Sequence, residues 1–435
     1  MFTAPGRDIA LRLSIGYAGV DVGDSALAGS PVSDGVRGVI DTLRGEAGFI
    51  YIAKAREVAS KGVKVISFGV GQPDIPTFDH IIEEGKRALD ERFTGYTETA
   101  GIPELREAIA DYLNTRYGAD ASPDEVIVTT GAKTAIFLAL AAYLDPGDEI
   151  LVPEPSYPAY PEVARALGAR PRFVPLRWLG SGKGFELDIE ALEQAVTPKT
   201  KIIVLTNPHN PTGALFSPSQ VDELMELARR RNLIILADEI YDNFVYEGRF
   251  RSVLEHPDWR DYVLYVNGHS KTFSMTGWRL GYLVVRREVA RKLTKLAVNI
   301  YSCAPSISQR AGVAALRGPW EPVKRMVEEF RRRRDAIVEE LSKVPGFEVY
   351  KPLGAFYIFP RVQKLLEEIS MSTEEFVDHL LYSRGVVTLP GTVFPENAGA
   401  GFIRFSYAVS IDKIREGVAR IREEVEKLLE ERGRR

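Results

Sequence analysis

The chain is expected to fold as an α/β protein: a mostly parallel central sheet covered by helices, plus a smaller α+β domain. Three observations predict this. Short β-branched or apolar runs at 125–129, 149–152, 201–205, 233–237, 262–266 and 280–285 alternate with helix-length segments, the pattern of a parallel sheet covered on both faces. Past Pro319 the texture changes to a long charged amphipathic segment followed by short strands. At 435 residues the chain is also too long for one ordinary hydrophobic core.

Residues 1–45 are rich in Gly, Ala, Ser and Asp with little periodicity and read as a lightly tied N-terminal extension. A helical pattern at 48–62 leads to a β-branched run at 63–69 and the turn Gly69-Val70-Gly71-Gln72-Pro73-Asp74. We expect 46–74 to pack with the smaller domain and 75–319 to form the large one. Within the latter, the apolar run 135–144 is about half the length of a membrane span and reads as a buried helix. Ser217-Pro218-Ser219-Gln220 is a capping box with proline at the first helical position, and Val221, Leu224, Met225 and Ala228 share one face. The smaller domain, 320–435, opens with a helix at 321–342, continues through strands near 347–350, 355–359 and 402–406, and ends in a helix at 411–431.

Composition narrows the function. A net charge of −4 offers no general attraction for polyanions, and the run Arg331 to Arg334 lies beside Glu328, Glu329 and Asp335 on a solvated helix face. One cysteine, Cys303, excludes an internal disulfide and fits a reducing compartment, so we expect a cytoplasmic protein without an export signal. His80, His209, His256, His269 and His379 lack ligand spacing, so no metal is expected. Gly180-Ser181-Gly182-Lys183-Gly184 lacks the first glycine and the Ser or Thr of a phosphate loop, and reads as a surface turn.

In open α/β sheets ligands bind beyond the carboxyl ends of the strands. Four such ends are unusual here. The run 201–205 leads into Thr206-Asn207-Pro208-His209-Asn210-Pro211-Thr212-Gly213, 233–237 into Asp238-Glu239-Ile240-Tyr241, and 262–266 into Asn267-Gly268-His269-Ser270-Lys271-Thr272. The run 125–129 leads through Thr130-Gly131-Ala132-Lys133 into an apolar helix, whose free amide N–H groups and dipole suit a phosphate at Gly131 and Ala132. A carboxylate, an amide, a phenol and a lysine on one rim beside a phosphate site match the needs of a pyridoxal phosphate pocket.

With these residues the chain resembles the class I aminotransferases of the fold-type I pyridoxal phosphate superfamily, from about Gly48 to the C-terminus. Asn210-Pro211-Thr212-Gly213, Asp238-Glu239-Ile240-Tyr241 and Ser270-Lys271-Thr272-Phe273-Ser274-Met275-Thr276-Gly277-Trp278-Arg279-Leu280-Gly281-Tyr282 stand in family order and spacing. The resemblance implies that Lys271 carries the cofactor as a Schiff base, that Asp238 partners the ring nitrogen, and that Tyr241 and Asn210 meet the ring hydroxyl. Arg279 resembles an arginine on the phosphate, and Tyr157 the aromatic stacked on the ring. Arg404, in Ile403-Arg404-Phe405-Ser406-Tyr407, is similar to the arginine that grips the substrate α-carboxylate, and Gly71 to a glycine beside it. Tyr96 resembles a tyrosine that reaches the phosphate of a neighbouring subunit, which implies a homodimer.

Two positions depart from or refine the pattern. Gly268 stands where many relatives place a serine on the phosphate, so either Ser270 substitutes or the phosphate has one ligand fewer. Lys133 occupies a site where some relatives selective for acidic substrates carry a lysine for the distal carboxylate, although a helix-start cation facing phosphate or solvent explains it equally. The expected activity is a ping-pong transfer of an amino group from an L-amino acid, aspartate-like first, to a 2-oxo acid such as 2-oxoglutarate. Alternatives are an aromatic or alanine aminotransferase, a pyridoxal phosphate β-lyase, or, outside the class, a ligand-sensing regulator. Specificity is expected to depend on loops near Phe49, Ile50 and Tyr301.

Overall fold

The computed structural model describes residues 37–394 and 398–433. Most of the expected N-terminal extension therefore lies outside the described residues, and Ile40–Thr42 forms one 3-10 turn. Residues 43–435 group as one compact unit.

Seven strands make the central sheet: β1 (Val126–Thr129), β2 (Glu149–Glu154), β3 (Arg170–Pro175), β4 (Thr200–Thr206), β5 (Ile234–Asp238), β6 (Val263–Gly268) and β7 (Gly281–Val284). Their spatial order is β1-β7-β6-β5-β4-β2-β3. All pairings are parallel except those of β7, which runs antiparallel to both β1 and β6. The period-two alternation of a strand sorts side chains between faces. Val126 and Val128 join one buried cluster, while Ile127 joins the other with Val152, Val204, Leu236 and Leu283. Both faces are therefore dry, which explains why these strands read as continuous apolar runs.

Sequence patterning does not reveal β3. It is an edge strand whose Arg170, Pro171, Arg172 and Pro175 are solvent-facing or half-buried, the composition that blunts a sheet edge and erases the apolar signal. The 347–350 run, expected as a strand, makes only the isolated bridge Glu348 to Arg361. Gly180 to Gly184 closes the small hairpin Arg177–Trp178 with Phe185–Glu186, in keeping with a surface turn.

Helix α1 (Ala47–Ser60) precedes the sheet, and α2 (Ala132–Tyr143) follows β1 directly. The helix Pro218–Arg231 carries the Ser217 capping box, with Gln220 bonding back to the cap amide. Beyond residue 320, α3 (Glu321–Leu341) packs on the last helix, α4 (Ile411–Gly433). Beside them lies a three-stranded antiparallel sheet of β8 (Tyr357–Ile358), β9 (Leu389–Pro390) and β10 (Ile403–Ser406), with β10 central. Ile66–Ser67 pairs in parallel with Val386–Val387, so the segment ahead of the large sheet is tied to the C-terminal region. Among the described residues, no helix is long and apolar enough to cross a membrane.

Candidate active site

The last residue of β5, Asp238, sits in register with Thr206 of β4 and Val266 of β6. Tyr160, fully buried, donates its hydroxyl to Asp238 Oδ2 at 2.8 Å and accepts one from Thr206 at 2.8 Å. The Ile240 amide donates to the other carboxylate oxygen at 3.1 Å. Burial pushes the Asp238 pKa up to about 6, restrained by those two donors and by the charge of Lys271. The group is thus a buried carboxylate that is ionised near neutrality.

Lys271 lies just past β6, and its Nζ donates to the Gly71 carbonyl at 2.6 Å. Burial pulls its pKa down to about 8; Arg404 and Arg279 add to this, while Glu46 and Asp238 oppose it. An amine so placed loses its proton far more readily than a surface lysine. Ser270 beside it is half-buried.

The start of α2 faces the same rim. Gly131, at φ +97°, is the N-cap, and a Cβ there would lie 2.4 Å from an Arg279 guanidinium nitrogen. The missing side chain lets the arginine lie across the helix start, where it donates to the carbonyls of Thr276 at 2.9 Å and Thr130 at 3.3 Å. A Cβ on Gly281 would meet the Ala132 amide nitrogen at 2.4 Å, so glycine is needed there too. Gly268 is explained by the same crowding: a Cβ would stand 2.9 Å from the Gly281 Cα, leaving no room for serine on this backbone.

The opposite wall comes from the C-terminal sheet. Arg404 of β10 is only 6% exposed, donates to the Gly69 carbonyl at 2.5 Å and to Asn210 Oδ1 at 3.3 Å, and keeps a buried Nε without a partner. Its guanidinium lies 4.7 Å from the ring centres of both Tyr357 and Phe394. Burial lowers its pKa, but arginine retains its charge. Tyr357 shares a 2.7 Å hydrogen bond with Tyr241, and a Cβ on Gly71 would collide with the Tyr357 hydroxyl at 2.1 Å.

The third side holds Tyr157, Lys133 and Glu46. Tyr157 packs edge-on against Tyr160, with ring centres 5.7 Å apart, and donates to Glu46 at 2.7 Å. Lys133 forms an ion pair with the same Glu46 oxygen.

Of the residues singled out by sequence, Lys271, Asp238, Tyr241, Asn210, Arg404, Gly71, Gly131, Lys133, Tyr157 and Arg279 are brought together by the hydrogen bonds and close approaches just described, with Ala132 and Ser270 adjoining Gly131 and Lys271 in the chain. Tyr96 does not join them within this chain. It is 92% exposed and lines a surface groove with Phe93, Arg310 and Arg317. Phe49 and Ile50 are exposed, and Tyr301 donates to the Val128 carbonyl at 3.0 Å. Tyr160, Tyr357 and Glu46 escape sequence reasoning. Only Tyr160 carries a signal, three residues after Tyr157.

The model of the family described as aminotransferase class I and II matches residues 63–421. The chain belongs to that family. This aminotransferase is 48% identical over 388 residues to an aspartate aminotransferase of Sulfolobus acidocaldarius, covering 89% of this chain and 96% of the relative. Its fold matches the structure of Thermus thermophilus aspartate aminotransferase with maleate at a TM-score of 0.83 and 34% identity, covering 88% and 98% of the two chains. An alanine aminotransferase of Pyrococcus furiosus matches equally, with a TM-score of 0.83, 33% identity and coverage of 90% and 99%. The fold therefore leaves the substrate side chain open.

Family membership implies pyridoxal phosphate as cofactor and an amino acid and a 2-oxo acid as substrates. The residues present fit that cofactor. They include a buried carboxylate, a lysine of lowered pKa, and a glycine-started helix of 12 residues with an arginine across its N-terminus.

Proposed function

We propose that this aminotransferase moves the amino group of an aspartate-like L-amino acid to a 2-oxo acid such as 2-oxoglutarate, alternating between the two in a ping-pong cycle. The observation that carries the reading is a buried amine of lowered pKa, Lys271, that senses the charges of both Arg404 and Glu46, the partner of Lys133, so that two cations suited to carboxylates stand in its surroundings. The 48% identity to an aspartate aminotransferase supports it.

In this reading Gly131, Ala132, Ser270 and Arg279 hold the cofactor phosphate, Asp238 the ring nitrogen, Asn210 and Tyr241 the ring hydroxyl, and Tyr157 the ring face. Bound there, pyridoxal phosphate supplies an aldehyde for amine exchange and a ring that accepts the electron pair released at the substrate Cα. The work of the chain is positional. Asp238, ionised above about pH 6 and fixed by Tyr160 and Ile240, keeps a negative charge where a protonated nitrogen needs one. Arg404 offers its fork, including the unpaired Nε, to the α-carboxylate. Gly71 lets the backbone pass beneath Tyr357 and presents its carbonyl to Lys271, orienting the Nζ that would hold the cofactor. Lys271 Nζ then moves the proton of the substrate Cα, a task for which its lowered pKa suits it. Lys133 meets the distal carboxylate.

We further propose a cytoplasmic homodimer in which exposed Tyr96 reaches the partner's phosphate site. Residues 75–319 and 320–435 act as large and small domains, and 46–74 is carried by the small one through the Ile66 to Val386 pairing and the Lys54 to Asp378 ion pair. A donor screen with 2-oxoglutarate tests the substrate. Aspartate should exceed alanine and phenylalanine in kcat/KM by at least about tenfold, the effect of one well-placed ion contact. Equal values would contradict the assignment.

A further inference from the structure

Lys133 is already neutralised by the chain itself. Glu46 Oε1 pairs with Lys133 Nζ and accepts the Tyr157 hydroxyl at 2.7 Å, and its charge is felt by Lys271, Arg404 and Tyr357. Glu46 precedes α1 as its N-cap, yet its side chain makes no capping bond. A carboxylate at a helix start is well placed to satisfy free amide N–H groups. This one turns to Lys133 and Tyr157 instead.

Burial pushes the acid toward neutrality, but Lys133 and Tyr157 overcome that and hold Glu46 below the ordinary carboxylate range, as an anion. Glu46 thereby holds the ammonium to which the second substrate carboxylate is assigned. We infer that Glu46 occupies the site of the distal substrate carboxylate and acts as an internal competitor that dicarboxylic substrates must displace. The inference rests on the reading of Lys133 given under Proposed function. Two carboxylates crowded on one ammonium repel each other, so a dicarboxylate enters only as Glu46 leaves. A substrate with a single carboxylate leaves the Glu46–Lys133 pair closed, so that Lys133 keeps its partner. One pocket thus serves both substrate classes, with lower affinity for the acidic class than Lys133 alone would give.

The test is isothermal titration of the pyridoxal phosphate-loaded protein with maleate, a dicarboxylate that cannot react, and with propionate, which carries one carboxylate. Glu46→Gln keeps the shape and loses the charge. It should tighten maleate at least about tenfold and leave propionate within about twofold. Lys133→Ala reports on the underlying reading and should weaken maleate relative to propionate. If Lys133→Ala leaves that ratio unchanged, the reading of Lys133 falls and the inference with it. If Lys133→Ala weakens maleate while Glu46→Gln leaves it unchanged or weakens it, the reading stands and the inference is overturned.

Discussion

The two walls of the pocket are built on different principles. On the sheet wall the functional groups stand at or just beyond strand ends: Asp238 closes β5, Lys271 follows β6, and Gly131 links β1 to α2. They are fixed by rigid neighbours, such as the Tyr160 bond to Asp238 and the Arg279 bond to Thr130. On the other wall Arg404 lies inside a strand, and its partners come from far along the chain. Gly69, which accepts from Arg404, is 335 residues away, and Gly71, which accepts from Lys271, is 200 away. A wall made of strand ends holds a cofactor in one geometry. A wall assembled from the two ends of the chain suits the handling of substrates that come and go.

This contrast predicts that damage to the sheet wall lowers turnover and damage to the other wall lowers substrate affinity. The largest effect is expected from Lys271→Ala, which should reduce kcat by at least about 10³-fold, the loss of an amine that both exchanges with substrate and moves a proton. The visible absorbance of the imine between lysine and cofactor should vanish with it. Retention of either would break the division. Asp238→Asn keeps the shape but not the charge, and should lower kcat by about 10²–10³-fold, comparable to losing a preorganised electrostatic partner, with KM changed far less. Arg404→Lys keeps the charge and loses the fork; KM for all donors should rise about 10–100-fold while cofactor absorbance stays intact. A matching fall in kcat alone would show the walls to be one functional unit.

The smallest effect is one of pH. In cofactor-free protein the rate at which added pyridoxal phosphate reacts should follow the neutral form of Lys271. Because burial lowers its pKa to about 8, the rate should rise steeply as pH increases toward that value and level off above it. A rate that kept rising past pH 9 would mean that the amine is solvated like a surface lysine.

The sheet wall was legible in the sequence for a physical reason. Each of its residues lies within a few positions of the end of a buried apolar run, so the strand pattern itself points to Asp238, Lys271 and Gly131. On the other wall Arg404 and Gly71 were legible only by resemblance, although Asn210 and Tyr241, which meet it, follow strand ends. Tyr357 sits in a two-residue strand among other aromatics, and its contact with Gly71 depends on folding across the molecule. Glu46 precedes a helix of weak amphipathic character, where a sequence reader expects a cap. Edge strand β3 and the failed strand at 347–350 make the same point, since pattern reports burial and both segments are only partly buried.

The central claim is that Lys271 is the amine that carries the cofactor. It is tested most directly by reducing the pyridoxal phosphate-loaded protein with borohydride and mapping the labelled peptide by mass spectrometry. The label should fall on Lys271 alone. A label on Lys133 or on any other lysine, or no label at all, would contradict the assignment.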